Sequence, residues 1–186
     1  MRTDVFRELE GLVLADAEGR RMTAWALALT PCTSWEAFRD EYSWVVLCSG
    51  ISFRAARSME ATWCQSMACA HPMKRKALIA AWDNAPEWWA TYSAAAGDAA
   101  RLAYLRTLPM MGGRALVYQL CKNLGITKFC KPDVHLVRLA EIHGYPGDPQ
   151  RMCEVLAAAT GRTVAYIDTV LWYAAMRGWA YGLRRP

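Results

Sequence analysis

The feature that most constrains this chain is a turn that interrupts a helical pattern past its middle. The turn contains Pro109 and the pair Gly112-Gly113, which do not suit a regular helix, because proline lacks a backbone donor and glycine tolerates positive φ. After the turn, apolar residues recur at helical spacing over residues 114–124, and Gly125 supplies the stop expected just past a helix end. The sequence therefore predicts two helices joined by a Gly-containing hairpin.

Another helix follows the hairpin after a short basic connection. Pro132-Asp133 begins this helix, since proline fits the first helical turn and aspartate is a favoured N-cap residue. Val134, Val137 and Leu139 form its predicted apolar face. The order is thus hairpin, helix, basic link, and a helix that opens on an aspartate.

These parts, in this order, resemble the helix-hairpin-helix DNA glycosylase superfamily. In that family the hairpin grips the DNA backbone through its amide groups, and an aspartate beyond it works at the sugar of a flipped-out nucleotide. The resemblance implies an all-α, two-lobed fold with a cleft between the lobes and Asp133 at its mouth. The 186 residues suit one such domain, with the helix-hairpin-helix at residues 99–124 and the catalytic-aspartate helix from residue 133.

The match assigns roles to single residues. Asp133 falls on the catalytic aspartate, His135 on the histidine of the family's Asp-x-His motif, and Gly113 on the second hairpin glycine. Gly112 and Gly113 are the glycines expected to contact DNA. Glycosidic cleavage develops positive charge on the sugar, so a carboxylate beside it stabilises the transition state. The simpler interpretation of Asp133 is a helix cap worth about 1 kcal/mol. The simpler interpretation of His135 is that its side chain hydrogen-bonds to the backbone and fixes the start of the helix.

The chain departs from the family at the hairpin. The family usually shows the pattern Leu-Pro-Gly-apolar-Gly. After Leu108-Pro109 this chain instead has Met110 and Met111, with one extra residue in the turn. Members that also cleave the DNA strand carry a nucleophilic lysine after the second glycine. The candidates here are Arg114 and Ala115, and neither forms a Schiff base. The resemblance therefore implies a monofunctional glycosylase.

A weaker similarity to the family begins at Trp44, in WVVLCSGISFRAARSME. There the family's duplex-filling glutamine falls near Gly50, which leaves Ile51 as the wedge into the duplex. Several aromatic residues are able to stack on a flipped base, although aromatic residues at helical spacing also suit a core. They are Trp44, Trp88, Trp89, Trp172 and Tyr173.

Basic residues surround the hairpin and the aspartate, although the formal net charge is a mild +5. Lysine and arginine position proteins on DNA phosphates without reading bases. Together with these residues, the resemblance implies that the partner is double-stranded DNA with a modified base, and the alternative for the basic residues is an ordinary solvated surface. The basic residues are Arg114, Lys122, Lys128, Lys131 and Arg138, with Arg184 and Arg185 at the end of the sequence.

The departures leave two further functions open. Some bacteriophage families that hypermodify thymidine resemble glycosylases but catalyse a transfer, in which a free amino acid or another amine displaces pyrophosphate from activated 5-hydroxymethyluracil in DNA. In such an enzyme Asp133 would deprotonate the amine or steady a cationic methylene, and Lys131 or Arg138 would meet the pyrophosphate. The other alternative is an inactive DNA-binding module in which Asp133 is only a cap.

No cofactor or metal is predicted. The seven cysteines are odd in number and lie mostly in apolar patterns, which favours reduced thiols. An iron–sulfur cluster near the C-terminus needs four close cysteines, and only Cys153 follows the aspartate helix. Cys64, Cys69 and His71 lack a fourth zinc ligand at suitable spacing.

The rest of the sequence predicts a helical protein without a membrane span, because no apolar run reaches about 18 residues. No secretory signal is seen, so a cytoplasmic location is expected, in the host cytoplasm for a phage protein. The first helix is predicted over residues 5–14 with a break at Glu18-Gly19. Two short helices are predicted over residues 74–82 and 86–95.

Overall fold

The fold is helical, as the periodicity predicts. A computed structural model describes residues 1–182, except for the side chains of Phe53 and Arg114. Arg184 and Arg185 lie outside the described residues. No helix within residues 1–182 has the length and hydropathy needed to cross a bilayer. The described range contains no strand, and its eleven α-helices are α1 (Thr3–Ala15), α2 (Ala17–Leu27), α3 (Trp35–Cys48), α4 (Phe53–Ser66), α5 (Pro72–Ala94), α6 (Gly97–Leu105), α7 (Arg114–Asn123), α8 (Val134–Ile142), α9 (Pro149–Thr160), α10 (Val164–Met176) and α11 (Trp179–Gly182).

The chain divides into two compact units. One, the terminal unit, combines Met1–Thr30 with the chain from Gly125 onward, and the other, the central unit, is Pro31–Leu124. In the terminal unit α10 is the core helix, because 11 of its 13 residues are buried, and a helix that is apolar all round needs neighbours on every side. Helices α1, α2, α8, α9 and α11 pack against it.

The central unit is built around α3, which packs against α4, α5 and α7. Its core is aromatic: the ring of Phe38 lies 5.4 Å from that of Tyr92, and the ring of Tyr42 lies 5.3 Å from that of Trp88. The Tyr42 hydroxyl donates a 2.7 Å hydrogen bond to the carbonyl of Pro109. Tyr42 therefore ties the predicted hairpin turn to the core of its unit.

Helix α5 is continuous, so the prediction of two short helices over residues 74–82 and 86–95 is wrong. Pro86 lies inside α5, where it removes one helical hydrogen bond. Pro86 is exposed, whereas Ala85 and Tyr92 are buried. Packing on both sides of the proline thus keeps the helix intact across it.

The break after α1 lies at Asp16, two residues before the predicted Glu18-Gly19. The Asp16 carboxylate accepts the amides of Glu18 and Gly19, both at 3.0 Å, and so caps α2. Gly19 is needed for packing instead, because a Cβ there would collide with the backbone of Val13. The glycine that suggests a break therefore marks the close approach of α1 and α2.

Candidate functional site

Asp133 is the N-cap of α8. Its Oδ1 accepts hydrogen bonds from the amides of His135 at 3.0 Å and Leu136 at 3.1 Å. The amide of Asp133 donates to the carbonyl of Lys131 at 2.8 Å. The two amides therefore fix Oδ1 of the carboxylate, and Asp133 caps the helix as the sequence predicts.

The second oxygen of Asp133 is not used by the cap. Oδ2 lies 3.6 Å from Nζ of Lys131, in an ion pair whose side chains are 15% and 25% exposed. Charges that are partly removed from water interact more strongly than fully exposed ones. The carboxylate thus combines one oxygen that is fixed by the cap with a second oxygen that faces a cation, on a side chain that is 15% exposed.

Two side chains of the terminal unit hold the basic link before Asp133. Gln150 accepts the amide of Cys130 at 2.8 Å and donates to the carbonyl of Lys128 at 2.8 Å. The buried Asp168 accepts the amide of Lys131 at 3.3 Å. These bonds give the link a defined path, so that Lys131 and Asp133 do not depend on a loose loop for their position.

His135 contacts a residue that sequence reasoning missed. Its Nδ1 lies 3.3 Å from the hydroxyl oxygen of Tyr181. The guanidinium carbon of Arg138 lies 4.6 Å from the centre of the Tyr181 ring. Two of the predicted site residues, His135 and Arg138, therefore share one partner on α11. Nothing in the sequence near Tyr181 signals this contact.

The predicted apolar face of α8 is wrong at its first residue. Val134 is 74% exposed, whereas Leu136, Leu139 and Ala140 are buried. The face that packs on α10 sets the rotation of α8, and it begins two residues after Val134. Val134 is left at the surface, next to Asp133 in sequence.

The predicted hairpin lies in the central unit, between α6 and α7. The left-handed position in the turn is taken by Met110, with φ of 63°. Gly112 and Gly113 are exposed, neither has positive φ, and a Cβ on either would meet nothing within 4 Å. Gly113 is the N-cap of α7, and no described side chain caps that helix. Neither a positive φ nor packing within the unit therefore requires the two glycines, although glycine is a favoured residue at the N-cap position that Gly113 takes.

The other predicted DNA-binding residues differ in exposure. Lys128 and Arg138 are exposed and Lys131 is half-buried, while the side chain of Arg114 lies outside what the structure describes. Lys122 is only 5% exposed, so it does not belong to a basic surface.

Ile51 is 37% exposed and lies in the turn between α3 and α4, after Gly50 with φ of 67°. Its role as a wedge stays a prediction. Four of the five aromatic candidates pack in or against a core: Trp88 contacts Tyr42, and Trp89 contacts Phe38. Trp172 packs against the core of the terminal unit, in which Tyr173 is buried, and Trp44 lies beneath the guanidinium of Arg57 at 4.4 Å.

No group of three or more histidine, cysteine or acidic side chains in residues 1–182 is arranged to hold a metal ion. Cys64 is exposed, the thiol of Cys69 donates to the carbonyl of His71 at 3.8 Å, and Nδ1 of His71 accepts the amide of Lys74 at 3.5 Å. His71 therefore acts as the N-cap of α5.

Comparison with known proteins finds no matching family model, no similar curated protein and no similar solved structure.

Proposed function

We propose that this protein is a DNA-binding enzyme that flips a modified base out of double-stranded DNA and acts on it with Asp133, as a monofunctional DNA glycosylase does. The hairpin between α6 and α7 would bind the DNA backbone, and the start of α8 would carry the chemistry.

The observation that carries the proposal is the pair Gly112-Gly113. Within the protein, neither glycine is required by a positive φ or by a crowded Cβ position, and the one structural role seen is that of Gly113 as the N-cap of α7. A glycine also lets another molecule approach the backbone closely. The pair lies at the start of α7, where amide groups and the helix dipole favour an anion. A DNA phosphate is the anion that such a hairpin suits.

The geometry of Asp133 suits the chemical step. Because Oδ1 is held by two amides, the carboxylate needs little reorganisation when positive charge develops on a sugar. When Lys131 binds a phosphate instead of Asp133, Oδ2 becomes available to stabilise that positive charge or to orient the attacking water. His135 and Arg138 lie on the same helix, within its first two turns.

A second candidate is the transfer reaction, and the position of Lys131 favours it. An ammonium group 3.6 Å from Oδ2 of Asp133 suits a step in which a pyrophosphate leaves next to a general base. Lys131 would bind the departing pyrophosphate while Asp133 accepts a proton from the attacking amine. The amine would be a free amino acid or a related small molecule.

Mass spectrometry of nucleosides separates these functions. DNA with candidate modified bases, including pyrophosphorylated 5-hydroxymethyluracil, is incubated with the protein, with and without amino acids. Release of a free base identifies a glycosylase, and a heavier nucleoside identifies a transferase. If every substrate stays unchanged while DNA still binds, the protein is a binding module.

The salt dependence of DNA binding tests the shared part of both functions. Affinity should fall steeply with salt, because each phosphate contact releases counterions and contributes about −0.9 to the logarithmic slope. Arg114→Ala and Lys131→Ala should each weaken binding to all sequences. Arg21→Ala is the matched control, since Arg21 is exposed and paired with Glu18 on α2. Binding that is insensitive to salt contradicts the DNA assignment.

A further inference from the structure

The His135 ring has a specific hydrogen-bond partner. Nδ1 lies 3.3 Å from the Tyr181 hydroxyl, across 46 positions of sequence. In a neutral imidazole, the bond made by one nitrogen decides whether the other carries the proton. The direction of the Tyr181 hydrogen bond therefore fixes what His135 offers to a ligand.

The position of Arg138 favours donation by the Tyr181 hydroxyl. Its guanidinium lies over the Tyr181 ring at 4.6 Å, and a cation on the ring face stabilises electron density in the ring. The phenol then becomes a better hydrogen-bond donor. Tyr181 also packs against the core of the terminal unit, so its hydroxyl is held in place.

We propose that Tyr181 is a positioning residue whose hydroxyl donates to Nδ1 and holds His135 as the Nε2–H tautomer, so that Nε2 donates a hydrogen bond to an anionic oxygen of the DNA backbone. Asp133 already holds the His135 amide at 3.0 Å, so both the backbone and the ring of His135 are fixed. The role toward DNA rests on the proposed function, whereas the tautomer does not.

Nitrogen NMR of protein with ¹⁵N-labelled histidine tests the tautomer without any substrate. The sequence has three histidines, and the His135 signals are those lost in His135→Gln. At about pH 8, where an ordinary imidazole is neutral, Nδ1 should resonate as an unprotonated acceptor and Nε2 as a protonated nitrogen. A proton on Nδ1 in the wild-type protein overturns the proposal.

Tyr181→Phe keeps the ring beneath Arg138 and removes only the hydroxyl. The Nδ1 signal should shift toward the value of an imidazole that exchanges between tautomers. Tyr145→Phe, at another partly buried tyrosine of the terminal unit, should leave it unchanged. An unshifted Nδ1 signal in a folded Tyr181→Phe variant also overturns the proposal. If that variant does not fold, the wild-type spectrum alone decides.

Titration with a duplex that contains 5-hydroxymethyluracil tests the ligand. A shift of the Nε2 signal upon binding supports the contact to an anionic oxygen. A duplex that binds and leaves Nε2 unmoved overturns the contact but not the proposed function. A duplex that does not bind counts against the proposed function, and the free-protein spectrum still decides the tautomer.

Discussion

Asp168 accepts a hydrogen bond from the backbone amide of Lys131 at 3.3 Å. Asp168 lies on the core helix α10 and is 1% exposed, whereas Lys131 belongs to the link that leads to Asp133. The best-packed helix of the terminal unit thus holds the segment that carries the proposed chemistry. The position of Lys131 thus depends on Asp168, a buried residue that is not itself a candidate site residue.

Asp168→Ala should loosen that link. Loss of a hydrogen bond to a charged acceptor lowers stability by about 1.5–3 kcal/mol. The Lys131 amide should therefore exchange with solvent faster in the variant than in the wild type, whereas the amides of α8 should change less. Thr169→Ala is the matched control, because Thr169 is equally buried on α10 but donates within its own helix, to the carbonyl of Ala165. Hydrogen exchange followed by NMR measures the effect. Equal exchange of the Lys131 amide in both variants contradicts the prediction.

Gly113→Ala separates a structural from a functional use of the hairpin glycine. The backbone φ of −78° and the open space at Cβ allow alanine. Alanine reduces the conformational freedom of the unfolded chain, which stabilises the protein, but it is a poorer N-cap than glycine, which destabilises it. Because the two effects oppose each other, the free energy of unfolding should change by less than about 1 kcal/mol. DNA affinity should nevertheless fall about tenfold, since a methyl group would stand between the amides and a phosphate.

Gly11→Ala is the control for that variant. Gly11 is exposed in α1, with nothing within 4 Å of its Cβ position, so alanine should stabilise the helix by about 1 kcal/mol. DNA binding should not change. Fluorescence anisotropy with a labelled duplex and urea unfolding measure both quantities. If Gly113→Ala binds DNA as tightly as Gly11→Ala does, the hairpin is not the DNA contact.

Local signals in the sequence were sufficient for much of the fold. The all-α class is confirmed, and helices α6 and α7 flank the predicted turn, because proline and glycine act on their immediate neighbours. Asp133 as the residue that opens α8 was predictable for the same reason. The glycosylase-like two-lobed fold, DNA binding and catalysis stay predictions.

Tertiary packing decided what the sequence did not predict. Helix α5 continues through Pro86 because buried residues on both sides hold it, and no propensity rule contains that packing. The exposure of Val134 follows from the rotation that α10 imposes on α8. The contact between His135 and Tyr181 joins residues far apart in sequence, so no local pattern marks it.

Tyr173→Phe should change how stability depends on pH. The Tyr173 hydroxyl donates to Asp16 at 2.6 Å and, as the main cause, lowers the pKa of that carboxyl below its ordinary 3.8. A lowered carboxyl pKa contributes stability above pH 3.8 that is lost as the pH falls through the pKa of the folded state. The variant should therefore be less stable than the wild type at neutral pH, and the difference should shrink in acid.

Urea unfolding at neutral and at acidic pH measures this difference. Tyr145→Phe serves as the control in the same unit, and its effect should not depend on pH. A difference between Tyr173→Phe and the wild type that stays constant into acid contradicts the assignment of the Asp16 pKa to this hydrogen bond.

Asp133→Asn separates catalysis from capping. Asparagine caps a helix about as well as aspartate, so Oδ1 should still accept the amides of His135 and Leu136, and stability should fall by at most about 1 kcal/mol through the lost charge at the helix start. Turnover should fall by about 10²–10³, the usual effect of removing one group that stabilises transition-state charge. DNA affinity should hold or rise, because Lys131 is then freed for a phosphate.

Asp148→Asn is the matched control for this last comparison. Asp148 caps α9 of the same unit by accepting the amide of Arg151 at 2.9 Å, and it has no part in the proposed reaction. Its asparagine variant should match Asp133→Asn in the small loss of stability and keep full turnover. Because the glycosylase and the transferase both need the charge of Asp133, near-full activity in Asp133→Asn on whichever substrate reacts would contradict both reactions together and leave Asp133 as a cap.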